Sequence, residues 1–330
     1  MKKRGPRNRT LTIEEGEKNL LLKETVSLQS ACSADELEGR IINQDIFSCL
    51  DLLPNNFIDL LVIDPPYNLS KKYGKNVFLK KTEDSYQEWL ESWLPKIKRC
   101  LKPDASLYVC CDWQSSKPVQ AVLEKYFIIR SRITWEREKG RGAKANWKNC
   151  SEDIWFCTMS KDYYFNVEAV KIKRKVIAPY RHSTGDPKDW EESPGGNYRL
   201  THPSNLWTDI TIPFWSMPEN TDHPTQKPEK LIAKLILASS KEGDFVFDPF
   251  TGSGTTCVVS KKLGRRFSGI ELEPEYCAMA VKRLARAEND KVIQGYRDGC
   301  FWERNSLAAQ KSATSPCKQG DIDAKLLVDE

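Results

Sequence analysis

The sequence predicts an α/β fold, a mostly parallel, twisted sheet with helices packed on its faces. Two observations predict it. From residue 40 onward, apolar runs of strand length alternate with helical stretches, the pattern of a parallel sheet. Two of the predicted strands end in compact turns rich in Pro, Gly and acid, and open α/β sheets place their ligands beyond such carboxyl ends.

Residues 1–39 are polar and irregular, with a short helix near 13–23, and their low apolar content predicts an arm rather than core. Ile41 and Ile42 form the first strand and 46–53 a helix. The run 57–63, Phe-Ile-Asp-Leu-Leu-Val-Ile, is a buried strand. A helix over 85–101 follows, with Trp89 and Trp93 four apart on one face and therefore facing the core. Strand 105–111, helix 116–125 and strand 128–135 complete this half. Between 137 and 215 the periodicity fades into a basic, aromatic stretch with turn clusters at Gly185-Asp186-Pro187 and Ser193-Pro194-Gly195-Gly196, read as an insertion. Regularity returns with a helix over 228–240, strand 245–247, a helix beginning near Cys257, strand 267–270 and a helix over 274–288. Beyond Trp302 the polar sequence reads as a disordered tail. The domain plan is an arm (1–39), a first half (40–136), the insertion (137–215), a second half (216–290) and a tail (291–330).

At 330 residues and 39% hydrophobic content, the chain can bury one sizeable core with a smaller appended region. The net charge of +5 gives only a modest pull toward polyanions, so local charge matters more. No apolar stretch approaches a membrane span, and the basic start lacks the apolar core of a signal peptide, which predicts a cytoplasmic protein. Eleven cysteines and three histidines are dispersed without a Cys-x-x-Cys pair, so no metal site is expected and the cysteines read as small buried residues.

The strand over 57–63 delivers Asp64-Pro65-Pro66-Tyr67 to its carboxyl end. This suits a planar ring bearing an amine. The Asp64 carboxylate can accept one N–H, the Pro65 carbonyl the other, and Pro66 fixes the turn while removing a competing donor. Tyr67 can stack on the ring.

A second strand ends in Asp248-Pro249-Phe250-Thr251-Gly252-Ser253-Gly254-Thr255-Thr256. Gly252 and Gly254 permit positive φ and close backbone approach, and the following helix N-terminus offers free N–H groups to a carboxylate or phosphate. A third strand ends in Glu271, an acid about 20 residues past the glycines and suited to ribose hydroxyls. The turn lacks the Gly-Lys-Ser/Thr ending of a phosphate-gripping NTPase loop. Two strand-end sites, one for a nucleoside and one for a base amine, meet across one crevice and imply group transfer to that amine.

With the tetrapeptide first, then His223-Pro224-Thr225-Gln226-Lys227-Pro228, then the glycine loop, the chain over 40–288 resembles the S-adenosylmethionine-dependent exocyclic-amine DNA methyltransferases, and within them the beta group of bacterial restriction–modification enzymes. The resemblance implies their Rossmann-like fold with a target-recognition insertion. It assigns catalysis to Asp64, Pro65, Pro66 and Tyr67. It puts Thr225, Lys227 and the loop residues Asp248, Pro249, Phe250, Gly252, Ser253, Gly254 and Thr255 at the methionine end of the cofactor. Glu271 takes the ribose and Asp45 the adenine. The implied substrate is an adenine N6 amine in double-stranded DNA, extruded from the helix. Asp at position 64 favours adenine, since cytosine-amine members more often carry Ser there. The alternative is N4 methylation of cytosine, and the alternative of another class a catalytically inactive DNA-binding relative. The resemblance admits a homodimer and a cognate restriction endonuclease as partners. Glutamine-side-chain or RNA-amine methyltransferases pose the same hydrogen-bonding problem but usually carry Asn first in the tetrapeptide.

Within the insertion, Arg141, Lys144, Lys173, Arg174 and Arg181 are the candidates for DNA contact. Cations on Gly-rich backbone suit phosphate tracking, although such runs are also common in solvated loops.

Overall fold

The computed structural model describes residues 5–137, 145–177, 180–193, 196–306 and 310. Two short helices, α1 (Glu15–Leu22) and α2 (Ala34–Leu37), precede strand β1 (Arg40–Asn43), and α2 starts on a reciprocal cap between Ser33 and Glu36. The chain continues through α3 (Ile46–Cys49), β2 (Ile58–Ile63) and a hairpin of β3 (Lys71–Tyr73) and β4 (Asn76–Phe78). Then come α4 (Glu83–Lys98), β5 (Leu101–Cys111), α5 (Ser116–Tyr126), β6 (Ile128–Glu136) and β7 (Ser151–Thr158). Four short strands follow: β8 (Ile172–Lys175), β9 (Glu191–Ser193), β10 (Gly196–Thr201) and β11 (Leu206–Trp207). The remainder is α6 (Glu229–Ser239), β12 (Phe245–Asp248), α7 (Thr255–Lys262), β13 (Arg266–Glu271), α8 (Pro274–Asn289), β14 (Tyr296–Arg297) and β15 (Cys300–Trp302).

The main sheet has the order β1-β13-β12-β2-β5-β7-β6-β11. Its neighbours pair in parallel except β7, which runs antiparallel to both β5 and β6. Both faces are covered, which is why β2 reads as an unbroken apolar run. Ile58, Leu61 and Ile63 pack on one side with Leu90 and Trp93 of α4 and Val119 and Leu123 of α5. Leu60 and Val62 pack on the other with Leu231, Ile232, Leu235 and Ile236 of α6. This is the α/β, mostly parallel architecture expected from the sequence, and Trp93 lies in its core.

Several boundaries differ from expectation. The helix placed over 85–101 stops at Lys98, and β5 already begins at Leu101. Pro103 is tolerated there because the ladder to β2 breaks between Ile58 and Leu60 and leaves Pro103 exposed. The stretch 137–215 is not one insertion: Ser151–Thr158 is a central strand of the main sheet, while β8, β9 and β10 build a second sheet of order β14-β15-β8-β10-β9. The region 291–330 correspondingly contributes β14 and β15 to that sheet, with Phe301 fully buried, and residues 311–330 lie outside the described chain. The polar arm is docked: Leu11 is buried and bridges to Thr221, and Lys282 of α8 pairs with Glu17 of α1 at 2.6 Å.

Buried charges weld the second sheet to α6. Lys234 and Lys230 bracket Asp209 at 2.6 and 2.7 Å, and Lys230 also donates to the Trp302 carbonyl. No helix among the described residues is long and apolar enough to cross a membrane, and no group of His, Cys, Asp or Glu among them could hold a metal ion.

Candidate active site

The parallel strands aim their carboxyl ends at one rim, and a cavity of about 560 Å³ opens there. β2 brings Asp64, Pro65, Pro66 and Tyr67; β12 brings Asp248 and the glycine loop; β13 brings Glu271; and Asp45 arrives just beyond β1 as the N-cap of α3. Because β7 runs backward, its first residues reach the same rim and add Glu152.

Three of the four tetrapeptide residues have defined constraints. The Pro66 carbonyl accepts the Tyr86 hydroxyl at 2.9 Å, and Asn68 N–H donates to Ser115 Oγ at 3.0 Å, so the turn is fixed from behind. The Lys227 ammonium donates to both Asp64 oxygens at 2.7 Å and to the Tyr67 oxygen at 3.0 Å, and lies 3.3 Å from Glu152. Tyr67 in turn donates to Asp64 Oδ1 at 2.9 Å and lies 3.1 Å from Glu152. An ionised carboxylate offers about four acceptor sites, so Lys227 and Tyr67 fill three and leave one on Oδ2. No described residue donates to the Pro65 carbonyl, which also faces the cavity.

Burial pushes the Asp64 carboxyl up, and Lys227 pulls against it. Burial alone would strip the Lys227 proton, but the Asp64 and Glu152 carboxylates beside it hold its pKa above the usual lysine value. Tyr67 is pushed well above an ordinary phenol by burial and by the same two acids, so it remains a donor. Cys110 nearby is likewise raised by burial and does not serve as a thiolate.

On the other side, Asp248 accepts Phe250 N–H at 3.0 Å and the Thr256 hydroxyl at 2.6 Å, and burial raises it to about 7. Glu271 accepts one backbone N–H on each oxygen, from Gly252 and Glu273, both at 2.8 Å. One acceptor site remains on each Glu271 oxygen, spaced for a vicinal diol. Gly252 sits at φ 54 against the His223 ring. Gly254, unlike its neighbours, does not line the cavity: at φ 82 it caps α7 and presses on Ala280. Ser253 and Thr255 are held from outside by Arg283. Pro249 and Thr225 line the cavity, and Phe250 meets the edge of Trp93 with ring centroids 5.0 Å apart. His223 accepts Thr225 N–H at 3.3 Å, and burial lowers its pKa to about 3, so it shapes the turn as a neutral ring.

Seven carboxylates but only three Lys or Arg side chains line the cavity among the described residues. A ligand with net positive charge is therefore favoured, as for a sulfonium with an α-ammonium.

Sequence comparison decides the family. The DNA methylase family, which comprises N6 and N4 methyltransferases, matches residues 58–282. The chain belongs to the DNA methylase family. It is 34% identical over 251 residues to the DNA adenine methyltransferase YhdJ of Escherichia coli strain K12, covering 74% of this chain and 82% of that protein. It is 34% identical over 258 residues to the type II methyltransferase M.HpaI of Haemophilus parainfluenzae, covering 75% and 74%. In fold it is similar to the DNA modification methylase TTHA0409 of Thermus thermophilus, solved in complex with S-adenosyl-L-methionine, with a TM-score of 0.51 at 20% identity over 81% of this chain and 98% of that one.

For this methylase the sequence placed Lys227 on the cofactor carboxylate, whereas the structure seats its ammonium on the tetrapeptide. The DNA-contact candidates are not at the cavity. Lys173 lies over Trp302 at 5.2 Å, Arg174 is 3.7 Å from Glu303, and Arg181 pairs with Glu192 at 2.6 Å. Arg141 and Lys144 lie outside the described residues. Glu152 and its 2.6 Å partner Arg137 were missed. The signal for them was the run Ile154-Trp155-Phe156-Cys157, a strand pattern two residues after Glu152.

Proposed function

We propose that this methylase transfers a methyl group from S-adenosylmethionine to the N6 amine of an adenine flipped out of double-stranded DNA, as a site-specific, cytoplasmic enzyme of a restriction–modification system. The observation that carries the reading is the pair of open acceptors at the end of β2, the remaining Oδ2 site of Asp64 and the Pro65 carbonyl. The adenine assignment is supported by Asp at position 64 and by the adenine-methylating relative named above. The acid excess of the cavity and the two open Glu271 acceptors fit a cationic cofactor with a ribose diol.

Bound there, S-adenosylmethionine supplies an electrophilic methyl group. The chain supplies positioning. An aromatic amine is a weak nucleophile because its lone pair is conjugated into the ring. Accepting its two N–H bonds at Asp64 and Pro65 favours a pyramidal nitrogen whose lone pair points at the incoming methyl. Lys227 keeps Asp64 an acceptor rather than a neutral acid, and Tyr67, its hydroxyl tied to Asp64, presents its ring to the base.

Incubating unmethylated bacterial DNA with labelled-methyl S-adenosylmethionine and analysing nucleosides is expected to yield N6-methyladenine confined to one short sequence. N4-methylcytosine would overturn the base assignment, and no transfer the activity. Glu271 adds a pH signature. Burial and the neighbouring Glu273 raise its pKa to about 7, against the pull of two backbone N–H groups, and it accepts ribose hydroxyls best when ionised. Cofactor affinity is therefore expected to fall as pH drops through 7, by up to about tenfold between pH 8 and pH 6 for one such group. Calorimetric titration of S-adenosylhomocysteine across this range should show the fall in the native protein and lose the Glu271 part of it in Glu271→Gln.

A further inference from the structure

The cofactor carboxylate needs a cation, and the cavity offers three among its described residues, Lys71, Arg137 and Lys227. Lys227 is bound by Asp64 at 2.7 Å and flanked by Glu152 at 3.3 Å. Arg137 is taken by Glu152 at 2.6 Å. His223 is neutral. Lys71 forms no ion pair with any described residue; its ammonium lies 5.8 Å over the ring of Tyr73.

Lys71 is also held in place. The β3–β4 hairpin that carries it is latched by one carboxylate oxygen: Glu273 Oε1 accepts Lys75 N–H at 3.1 Å, Asn76 N–H at 3.0 Å and the Asn76 side-chain amide at 2.7 Å. Gly74 N–H donates to the Tyr276 hydroxyl at 3.1 Å. The hairpin therefore keeps Lys71 half-buried at the cavity wall. Burial first, then repulsion from Lys227 and Arg137, lowers its pKa, and the same Lys71 charge is felt by His223, whose ring packs on Gly252 of the cofactor loop. An anion between Lys71 and that loop would relieve the repulsion.

Resting on the cofactor proposed above, we infer that Lys71 holds the carboxylate of the methionine moiety, and that Lys227 serves instead as the counter-ion of Asp64. A DNA phosphate is the competing anion. The position argues against it, because a half-buried ammonium between the catalytic cluster and the glycine loop faces the cofactor side of the crevice.

The test is calorimetric binding of S-adenosylmethionine and of its decarboxylated analogue, which differs only in lacking the carboxylate, to wild type, Lys71→Met, Lys71→Arg and Lys227→Met. Loss of a charge-assisted hydrogen bond predicts that Lys71→Met binds S-adenosylmethionine about tenfold to a hundredfold more weakly. It should bind the analogue as wild type does, melt at the wild-type temperature, and be partly rescued by Lys71→Arg. Lys227→Met should keep the wild-type preference for the carboxylated ligand. Unchanged S-adenosylmethionine affinity in Lys71→Met, equal loss of both ligands, or a loss confined to DNA binding would each overturn the assignment. Failure of wild type to bind either ligand would instead bring down the cofactor reading itself.

Discussion

Asp64→Ala is expected to lower the single-turnover methylation rate by at least about a thousandfold, the upper range for removing one positioned polar group from a reacting centre. The substitution deletes the acceptor that shapes the amine, and neither neighbour can replace it: Tyr67 and Lys227 are donors at this site. Asp64→Asn should fail almost as badly. An amide keeps the shape, but facing Lys227 it must turn its carbonyl to the ammonium, which leaves its NH2 group opposing the incoming amine. Folding should suffer less than chemistry. Removing one partner of a buried ion pair costs about 3–5 kcal/mol when the other charge is stranded, but Glu152 remains 3.3 Å from Lys227, so a loss below about 3 kcal/mol is expected. Affinity for S-adenosylhomocysteine should stay within a few-fold of wild type, because the ribose and loop contacts lie on other strands. A rate within tenfold of wild type in either variant would remove Asp64 from the mechanism.

What the sequence made legible follows the same division between local and distant causes. β2, β12 and β13 were readable because each is an apolar run stopped by an acid or a glycine turn, and such signals are local. The rule that ligands sit beyond parallel strand ends then gathered Asp64, Asp248 and Glu271 into one crevice without any contact information. β7 was hidden inside a basic, aromatic stretch. Its own run, Ile154 to Cys157, is strand-like, but its reversed direction is a property of the sheet, and that reversal is what carries Glu152 to the cavity. The second sheet was illegible for a related reason. β8 and β10 are charged along much of their length and are stabilised by partners such as Phe301 and Trp302, more than a hundred residues away in sequence. Lys227 shows the limit for single side chains. Its motif placed the backbone correctly at the cavity, yet which of several anions a flexible ammonium meets depends on distances no spacing encodes.

Gly254→Ala should cause the larger structural loss and reach the cofactor only through it. At φ 82 a Cβ is strained, at roughly 1–2 kcal/mol. That Cβ would also lie 2.6 Å from the Ala280 Cβ and 2.9 Å from its Cα, and α8 cannot yield there as a flexible side chain would. Overpacking of this kind adds about 1–3 kcal/mol, so a total of about 2–5 kcal/mol is expected in denaturant melts. Gly243→Ala isolates the first part, since Gly243 has φ 83 but nothing within 4 Å of the added atom. It should cost only the backbone strain. Ala280→Gly in the Gly254→Ala background should recover part of the packing loss, a coupling that independent sites would not show. The same strain displaces the start of α7, where the Thr256 hydroxyl holds Asp248 at 2.6 Å, so S-adenosylhomocysteine affinity should fall in Gly254→Ala and stay unchanged in Gly243→Ala. Equal stabilities for the two variants would mean that Gly254 is required for its dihedral angle alone, and that α7 and α8 have room to separate.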